Sequence, residues 1–110
     1  MLGEVRMTAH LHSRRLMPAV EFLLTSAGLA PPEVEAYAVT TGPGSFTGLR
    51  VGLATVQGLA LAAGAPCLGL STLDVLAARI AGTADALVAL MDAQRDEVFG
   101  AVYDSAAQLR

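Results

Sequence analysis

The chain has 110 residues, of which 54% are hydrophobic and 15% charged, and its formal net charge is −3. This composition argues against disorder, and the length suits one small domain, or one domain and the start of another. The sequence contains no lysine, which excludes a P-loop lysine, a Schiff-base lysine and a lysine general base within this chain. The arginines are scattered, so no basic stripe predicts direct binding of nucleic acid.

The first segment is predicted to be a strand followed by a helix. Apolar and polar residues alternate loosely over Leu2 to Ala9, as they do in a half-exposed strand. Apolar residues then recur at helical spacing from Leu16 to Ala27, with Ser13 as a candidate N-cap and Gly28 as a candidate stop. Pro18 lacks a backbone N–H, so we expect either a distorted first turn or a regular helix that begins near Met17.

His10 and His12 lie between the strand and the helix and raise the question of a metal site. Residues two apart share a face on a strand but lie about 200° apart on a helix. No third ligand is placed near them in the sequence, and Cys67 stands alone in an apolar run. We therefore predict no metal site and interpret the two histidines as polar residues at a turn.

The central stretch, Thr40 to Gly64, reads TTGPGSFTGLRVGLATVQGLALAAG and predicts the end of a strand, a tight loop and a long helix. Ser45 is a candidate N-cap for a helix that begins at Phe46. A loop between a strand and a helix N-terminus is a setting for phosphate binding, but the glycine spacing departs from the dinucleotide fingerprint. The main prediction is a close-packing turn. Gly44 and Ser45, together with Asp92, are a secondary candidate for binding phosphate or magnesium.

The predicted helix from Phe46 to Ala63 is apolar on almost every side, with a narrow polar strip at Arg50 and Gln57. Such a helix must be covered on two faces. One face can pack on the chain's own sheet, while the small residues of the other would let a partner's backbone approach closely. The alternative is a helix enclosed within a larger domain. Arg15 and Phe22 of the first helix also lie off its apolar stripe. The predicted partner interface comprises Arg15, Phe22, Gly48, Gly52, Thr55, Gly58 and Leu59.

The remainder of the chain continues the alternation of strands and helices. Cys67 to Leu70 is predicted to be a short strand, and Ser71 to Asp74 resembles a capping box that opens a helix. The apolar run Ala86 to Met91 and the segment Val98 to Tyr103, joined by the polar turn Ala93 to Glu97, predict a β-hairpin. This order indicates an α/β fold with a parallel or mixed sheet and packed helices.

Neither a targeting signal nor a membrane span is predicted. The first ten residues lack the apolar region of a secretory signal. The most hydrophobic stretch, Val51 to Pro66, is interrupted by Gln57 and several glycines and falls short of a spanning helix. A cytoplasmic protein without membrane association is therefore expected.

The segment Gly42 to Ala60, GPGSFTGLRVGLATVQGLA, resembles the most recognisable motif of the bacterial TsaB (YeaZ) family, and weaker similarity covers residues 12–24, 68–77 and 91–103. The resemblance implies a partial actin-like, sugar-kinase and heat-shock-chaperone ATPase (ASKHA) fold. It further implies that residues 1–84 are a first ASKHA-like domain without its opening strands, and that residues 85–110 are the opening β-hairpin of a second, truncated domain. The family usually begins with an ILAIDTS-like strand and continues well beyond this hairpin.

The resemblance also implies a role. TsaB proteins are partner subunits in the biosynthesis of threonylcarbamoyladenosine in tRNA. We therefore expect a non-catalytic scaffold that pairs with a TsaD-like catalytic subunit, joins a TsaE-like ATPase, self-associates, and meets tRNA only through the complex. This chain is expected to bind no cofactor, while ATP and magnesium serve the complex. The alternatives are a glycoprotease-like peptidase and an actin-like or sugar-kinase-like ATPase.

Overall fold

The computed structural model describes residues 2–6 and 12–109. Within them the elements, in chain order, are α1 (His12–Ser26), a 3-10 turn (Pro31–Glu33), β1 (Tyr37–Gly42), α2 (Phe46–Ala63), β2 (Cys67–Ser71), α3 (Thr72–Ala78), β3 (Ala86–Gln94) and β4 (Glu97–Asp104). Strands β1 and β2 form one pair, and β3 and β4 form another. The predicted α/β class is confirmed. The chain divides into two compact units, which we call unit 1 (residues 1–39 and 50–68) and unit 2 (residues 40–49 and 69–110).

The first segment differs from its prediction. Residues 2–6 are not in a strand, and residues 7–11, which include His10, lie outside the described part of the chain. Helix α1 already begins at His12 and contains Pro18, so Ser13 lies within the helix and is not its cap. Pro18 is the seventh residue of α1, where its missing N–H removes one backbone hydrogen bond, and the helix continues past it to Ser26. The predicted stop is confirmed, because Gly28 has φ of 69° and its N–H donates to the Thr25 carbonyl at 3.1 Å.

The limits of α2 follow from local chemistry at both of its ends. The Gly48 N–H donates to Ser45 Oγ at 3.2 Å, which confirms Ser45 as the residue that caps the helix. The helix ends at Ala63, where Gly64 adopts φ of 65° and the Ala65 N–H donates to the Ala60 carbonyl at 2.9 Å. The sequence prediction of a helix from Phe46 to Ala63 is therefore confirmed.

Unit 2 has a small core between α3 and one face of the β3–β4 hairpin. In the antiparallel register Leu87 pairs with Tyr103 and Ala89 pairs with Ala101, so these side chains share a face. Three of them, Leu87, Ala89 and Tyr103, are buried with Leu73 and Ala77 of α3. Alternation along β3 thus directs every second residue towards the helix.

A hydrogen bond fixes the hairpin to α3 at the edge of this core. Ser71 caps α3 by accepting the Leu73 N–H at 3.2 Å. Asp74, which the sequence pattern places in a capping box, accepts a hydrogen bond from the Tyr103 hydroxyl at 2.8 Å. Burial, followed by this hydrogen bond and the carboxylate charge, raises the pKa of Tyr103 above its ordinary value.

The raised pKa of Tyr103 predicts a loss of stability at alkaline pH. In the unfolded chain the phenol ionises near its ordinary pKa of 10.0, whereas the folded chain keeps it protonated to higher pH. The stabilisation that Tyr103 contributes is therefore fully present below pH 10.0. It is lost as the pH rises from there through the higher pKa of the folded state. Tyr103→Phe should remove it. Urea unfolding at several alkaline pH values checks this, and an identical alkaline loss in both proteins would contradict it.

The turn of the hairpin is tighter than predicted. Ala93, Gln94 and Glu97 belong to the strands, which leaves Arg95 and Asp96 as a two-residue turn. Both have positive φ, of 53° and 62°, as a type I′ turn requires. Type I′ turns favour asparagine and glycine, so the pair Arg95-Asp96 gives little sequence signal for this turn.

Candidate functional site

The three residues of the secondary phosphate or magnesium prediction line one cleft within unit 2. The cleft has a volume of about 390 Å³. It lies between the loop that precedes α2 and the tip half of the β3–β4 hairpin. Its lining residues are Gly44, Ser45, Phe46, Met91, Asp92, Ala93, Gln94 and Phe99. Segments almost fifty positions apart in the sequence thus share one concave surface.

The loop side of the cleft is shaped by glycine. Gly42 has φ of 133°, a conformation that side chains rarely adopt, so the chain can turn sharply at the end of β1. A side chain on Gly44 would begin 3.5 Å from Leu49, in ordinary van der Waals contact. The turn therefore packs closely on the first turn of α2, as the main sequence prediction states.

Two polar side chains of the cleft accept local hydrogen bonds from the backbone. Ser45 Oγ accepts the Gly48 N–H, and Asp92 Oδ1 accepts the Gln94 N–H at 2.8 Å. The lining contains one carboxylate and no arginine. A triphosphate carries several negative charges and needs cationic partners or a metal. The cleft therefore fits ATP poorly, and binding there remains an untested prediction.

No metal centre is formed by the described part of the chain. Among residues 2–6 and 12–109, no three histidine, cysteine, aspartate or glutamate side chains lie close enough to hold an ion. His10 lies outside those residues, and the side chain of His12 is likewise outside the description. The metal question raised by this pair is therefore not addressed by the structure.

The residues of the predicted partner interface differ in exposure. On α1, Arg15 is exposed and Phe22 is 63% exposed, which is high for a phenylalanine. Of the five interface residues predicted on α2, Gly58 is exposed and the other four are half-buried. The half-buried ones are Gly48, Gly52, Thr55 and Leu59. The exposed members of the predicted interface are therefore Arg15, Phe22 and Gly58.

Gly52 and Gly58 have different surroundings within unit 1. A Cβ added at Gly52 would lie 3.9 Å from Val39 Cγ2, so this glycine faces the chain's own strand β1. A Cβ added at Gly58 would have no atom within 4 Å, which leaves open space for another chain. Their role in an interface remains a prediction, and Gly58 is the position where it can be tested without disturbing β1.

Helix α2 is poorly covered along its length. All 18 of its residues are described, and Ala60 is the one that is buried. By length and composition α2 could cross a membrane, although core helices of soluble proteins meet the same criteria. The sequence prediction of no membrane span concerned a shorter segment, Val51 to Pro66. The structure adds that eight residues of this apolar helix are exposed and nine are half-buried, so its covering within the described part of the chain is incomplete.

Sequence reasoning missed a second exposed apolar surface, on the face of the β3–β4 hairpin opposite α3. Its large side chains are Val88 and Leu90 on β3 and Val98 and Val102 on β4. The available signal was the unbroken apolar run of residues 86–91, which lacks the alternation of a strand with one solvated face.

Comparison with known proteins places this chain in a family. Residues 6–110 match the family model described as TsaD, tRNA N6-adenosine threonylcarbamoyltransferase. The TsaB protein of Escherichia coli K12 is 42% identical over 94 residues, which cover 84% of this chain and 41% of that protein. The chain belongs to the TsaD family, and within it to TsaB (YeaZ). The TsaB protein of Bacillus subtilis is 36% identical over 92 residues, or 84% of this chain and 40% of that protein.

A solved structure supports the same assignment. YeaZ from Pseudomonas aeruginosa superposes with a TM-score of 0.83 at 40% identity, covering 96% of this chain and 51% of that one. The predicted partial ASKHA fold is confirmed by this match. The chain spans about half the length of the solved TsaB-family structure and less than half that of the curated relatives.

Proposed function

We propose that this chain is a non-catalytic scaffold subunit that pairs with a TsaD-like catalytic subunit in the threonylcarbamoyl modification of the tRNA adenosine next to the anticodon. The observation that carries the proposal is helix α2, an 18-residue apolar helix of which one residue is buried. A soluble helix of this composition is stable when another surface covers it. Membership of the TsaB family supplies the chemical context, because relatives are named for threonylcarbamoyladenosine biosynthesis.

The geometry of unit 1 favours a protein partner over a small ligand at this helix. Gly58 leaves open space at a position where a partner backbone can approach. Phe22 on α1 offers a large exposed aromatic side chain, a residue type enriched at interface hot spots. A second copy of this chain could occupy the same surface, so self-association and pairing with the catalytic subunit compete for it in this proposal.

The wider complex is proposed on family grounds. A TsaE-like ATPase joins the pair, ATP and magnesium act in the complex, and tRNA is reached through the partners. The formal charge of −3 is consistent with an indirect contact to RNA, because RNA-binding surfaces are usually basic. The complex would work in the cytoplasm, where tRNA is modified.

The experiment is reconstitution with the TsaD-like subunit encoded in the same genome. Light scattering of the mixture should show a heterodimer, and adding this chain should raise the yield of threonylcarbamoyladenosine on tRNA by at least tenfold when the other components are present. A mixture in which the two proteins elute separately, with unchanged yield, would exclude the scaffold role.

An ATPase of the ASKHA type is the second candidate, favoured by the cleft that brings Gly44, Ser45 and Asp92 together. Because that cleft lacks a cationic side chain, we predict that ATP with magnesium leaves the melting temperature of the isolated chain unchanged within error. Thermal-shift titration measures this, with Asp92→Asn as the matched control. A magnesium-dependent rise in wild type that Asp92→Asn abolishes would establish nucleotide binding instead.

A further inference from the structure

The cleft of unit 2 carries two aromatic rings in addition to its polar groups. Phe46, the first residue of α2, is 73% exposed, and Phe99 on β4 is 48% exposed. Both line the cleft together with the half-buried side chain of Met91. Aromatic and other apolar side chains with a few polar groups among them are the usual lining of a ligand site. The phosphate or magnesium prediction makes no use of these three side chains.

The charged groups in and beside the cleft are mostly negative. Asp92 is the carboxylate of the lining, and its Oδ1 accepts the Gln94 N–H at 2.8 Å. A carboxylate has room for several donors, so this bond does not exhaust it. The adjoining hairpin tip adds Asp96 and Glu97 against a single arginine, Arg95. These charges repel a ligand that carries phosphate, such as a nucleotide or RNA, and attract a cation.

Aromatic rings beside a carboxylate favour one kind of cation. The face of a phenylalanine ring attracts positive charge, and arginine makes this contact more often than lysine. The planar guanidinium group stacks on rings and donates two parallel N–H groups to a carboxylate. It is also more weakly hydrated than an ammonium group. A guanidinium group therefore loses less than an ammonium group when it leaves water for a cleft lined by Phe46, Phe99 and Met91.

The exposure of the cleft indicates how the arginine is delivered. All of the lining residues except Met91 and Ala93 are exposed. Small-molecule sites enclose most of the ligand surface, and the volume here, about 390 Å³, is near the lower end of their range. A free small cation would therefore stay largely hydrated in this cleft. An arginine carried by a polypeptide gains further binding energy from contacts that the polypeptide makes around the cleft.

We propose that this cleft binds an arginine side chain of a partner polypeptide. The guanidinium group packs on the rings of Phe46 and Phe99 and donates to the carboxylate of Asp92. The site uses neither Gly58 nor Phe22, so its failure would leave the scaffold interface proposed at those residues intact, and the reverse also holds. A nucleotide and an arginine would occupy the same space, so each is tested against the other.

The test is an NMR titration of the whole chain with the capped peptide Gly-Gly-Arg-Gly-Gly. The chain has three phenylalanines, and Phe22, which is 63% exposed and does not line the cleft, serves as an internal reference. The ring signals of Phe46 and Phe99 should shift together as the peptide is added, while those of Phe22 should not. Equal shifts of all three rings, or no shift of any, would overturn the proposal.

Altered peptides separate the charge of the guanidinium group from its shape. Citrulline in place of arginine keeps the planar shape without the charge and should bind more weakly by about tenfold or more. Lysine keeps the charge without the planar group and should bind more weakly by about threefold or more. Equal binding of either altered peptide would contradict the proposal. Shifts of the same two rings with magnesium ATP, and none with the arginine peptide, would assign the cleft to a nucleotide.

Two variants of the cleft test the contacts. Asp92→Asn retains an acceptor for the Gln94 N–H, and Phe99→Leu retains an apolar side chain at an exposed position, so the hairpin should stay folded. Each should weaken binding of the arginine peptide by about fivefold or more. Glu35→Gln removes the same charge at an exposed carboxylate of unit 1 and should leave the affinity unchanged. Near-ultraviolet circular dichroism of the buried Tyr103 verifies folding, and wild-type affinity in both folded cleft variants would overturn the proposal.

Discussion

Leu87→Ala is expected to lower the free energy of unfolding by about 2–5 kcal/mol, the range for removing a leucine side chain from a packed core. Leu87 is 4% exposed and belongs to the cluster formed by α3 and the inner face of the hairpin. Its cross-strand neighbour is Tyr103, so the substitution opens a cavity beside the largest fully buried side chain described in the structure. A core this small has few other side chains that can move to fill it.

The same substitution at Leu90 provides a matched control. Leu90 lies on the same strand, three residues along, but points to the face of the hairpin opposite α3 and is 64% exposed. Because its methyl groups already contact water, Leu90→Ala should cost about 1 kcal/mol or less. The difference between the two variants isolates burial from the lower strand propensity of alanine, since both positions are central in β3.

Urea unfolding, followed by the circular dichroism of Tyr103 in the near ultraviolet, measures both variants in unit 2. If Leu87→Ala is already unfolded without denaturant, titration with a stabilising osmolyte restores a measurable transition. Equal losses at the two positions would mean that α3 does not cover the inner face in solution. A larger loss at Leu90 would mean that the face of the hairpin with Leu90 is the buried one.

Elements whose local signals agree with one another were predictable from the sequence. The α2 helix combines a capping serine at Ser45, a long apolar segment and a terminal glycine, and the structure begins and ends it at the predicted residues. The hairpin combines two apolar runs with a polar turn, and its antiparallel pairing follows. In both cases the information lies within a short stretch of chain, where propensity and pattern point to the same result.

Features that depend on distant residues were not predictable in the same way. No periodicity predicts that the Ser45 loop and the hairpin at Asp92 line one cleft, because the two segments are almost fifty positions apart in the chain. Asp74 was assigned to a capping box from its spacing to Ser71, but a tyrosine 29 positions away supplies its hydrogen bond. Pro18 was given too much weight as a helix breaker, since α1 runs from His12 to Ser26 through the proline although its missing N–H removes a backbone hydrogen bond.

The interface on α2 was predicted from small residues alone, and the structure separates the two glycines that the prediction treated as equivalent. Leucine at Gly52 would meet Val39 of the chain's own strand, so a loss of partner binding there could arise from a disturbed fold. Leucine at Gly58 would enter open space. Replacing a helical glycine with leucine also raises helix propensity, by about 0.5–1 kcal/mol. Gly58→Leu should therefore keep or raise the stability of the isolated chain.

Gly58→Leu is expected to weaken association with the TsaD-like subunit by at least tenfold, which corresponds to about 1.4 kcal/mol. Helices that cross closely lie about 8 Å apart, and a leucine at the crossing forces them apart. Gln57→Leu, an exposed neighbour on the polar strip, introduces the same side chain on a different side of the helix and should change the affinity little.

Calorimetric titration of the two variants and the wild type against the catalytic subunit measures the three affinities, and thermal melts of the isolated chains check folding. Unchanged affinity in a folded Gly58→Leu protein would place the partner away from this side of α2. Weakened binding in Gln57→Leu but not in Gly58→Leu would move the interface to the polar strip, where Arg50 also lies. If Gly58→Leu alone loses affinity while its melting temperature is maintained, the small exposed side of α2 is where the partner's backbone approaches.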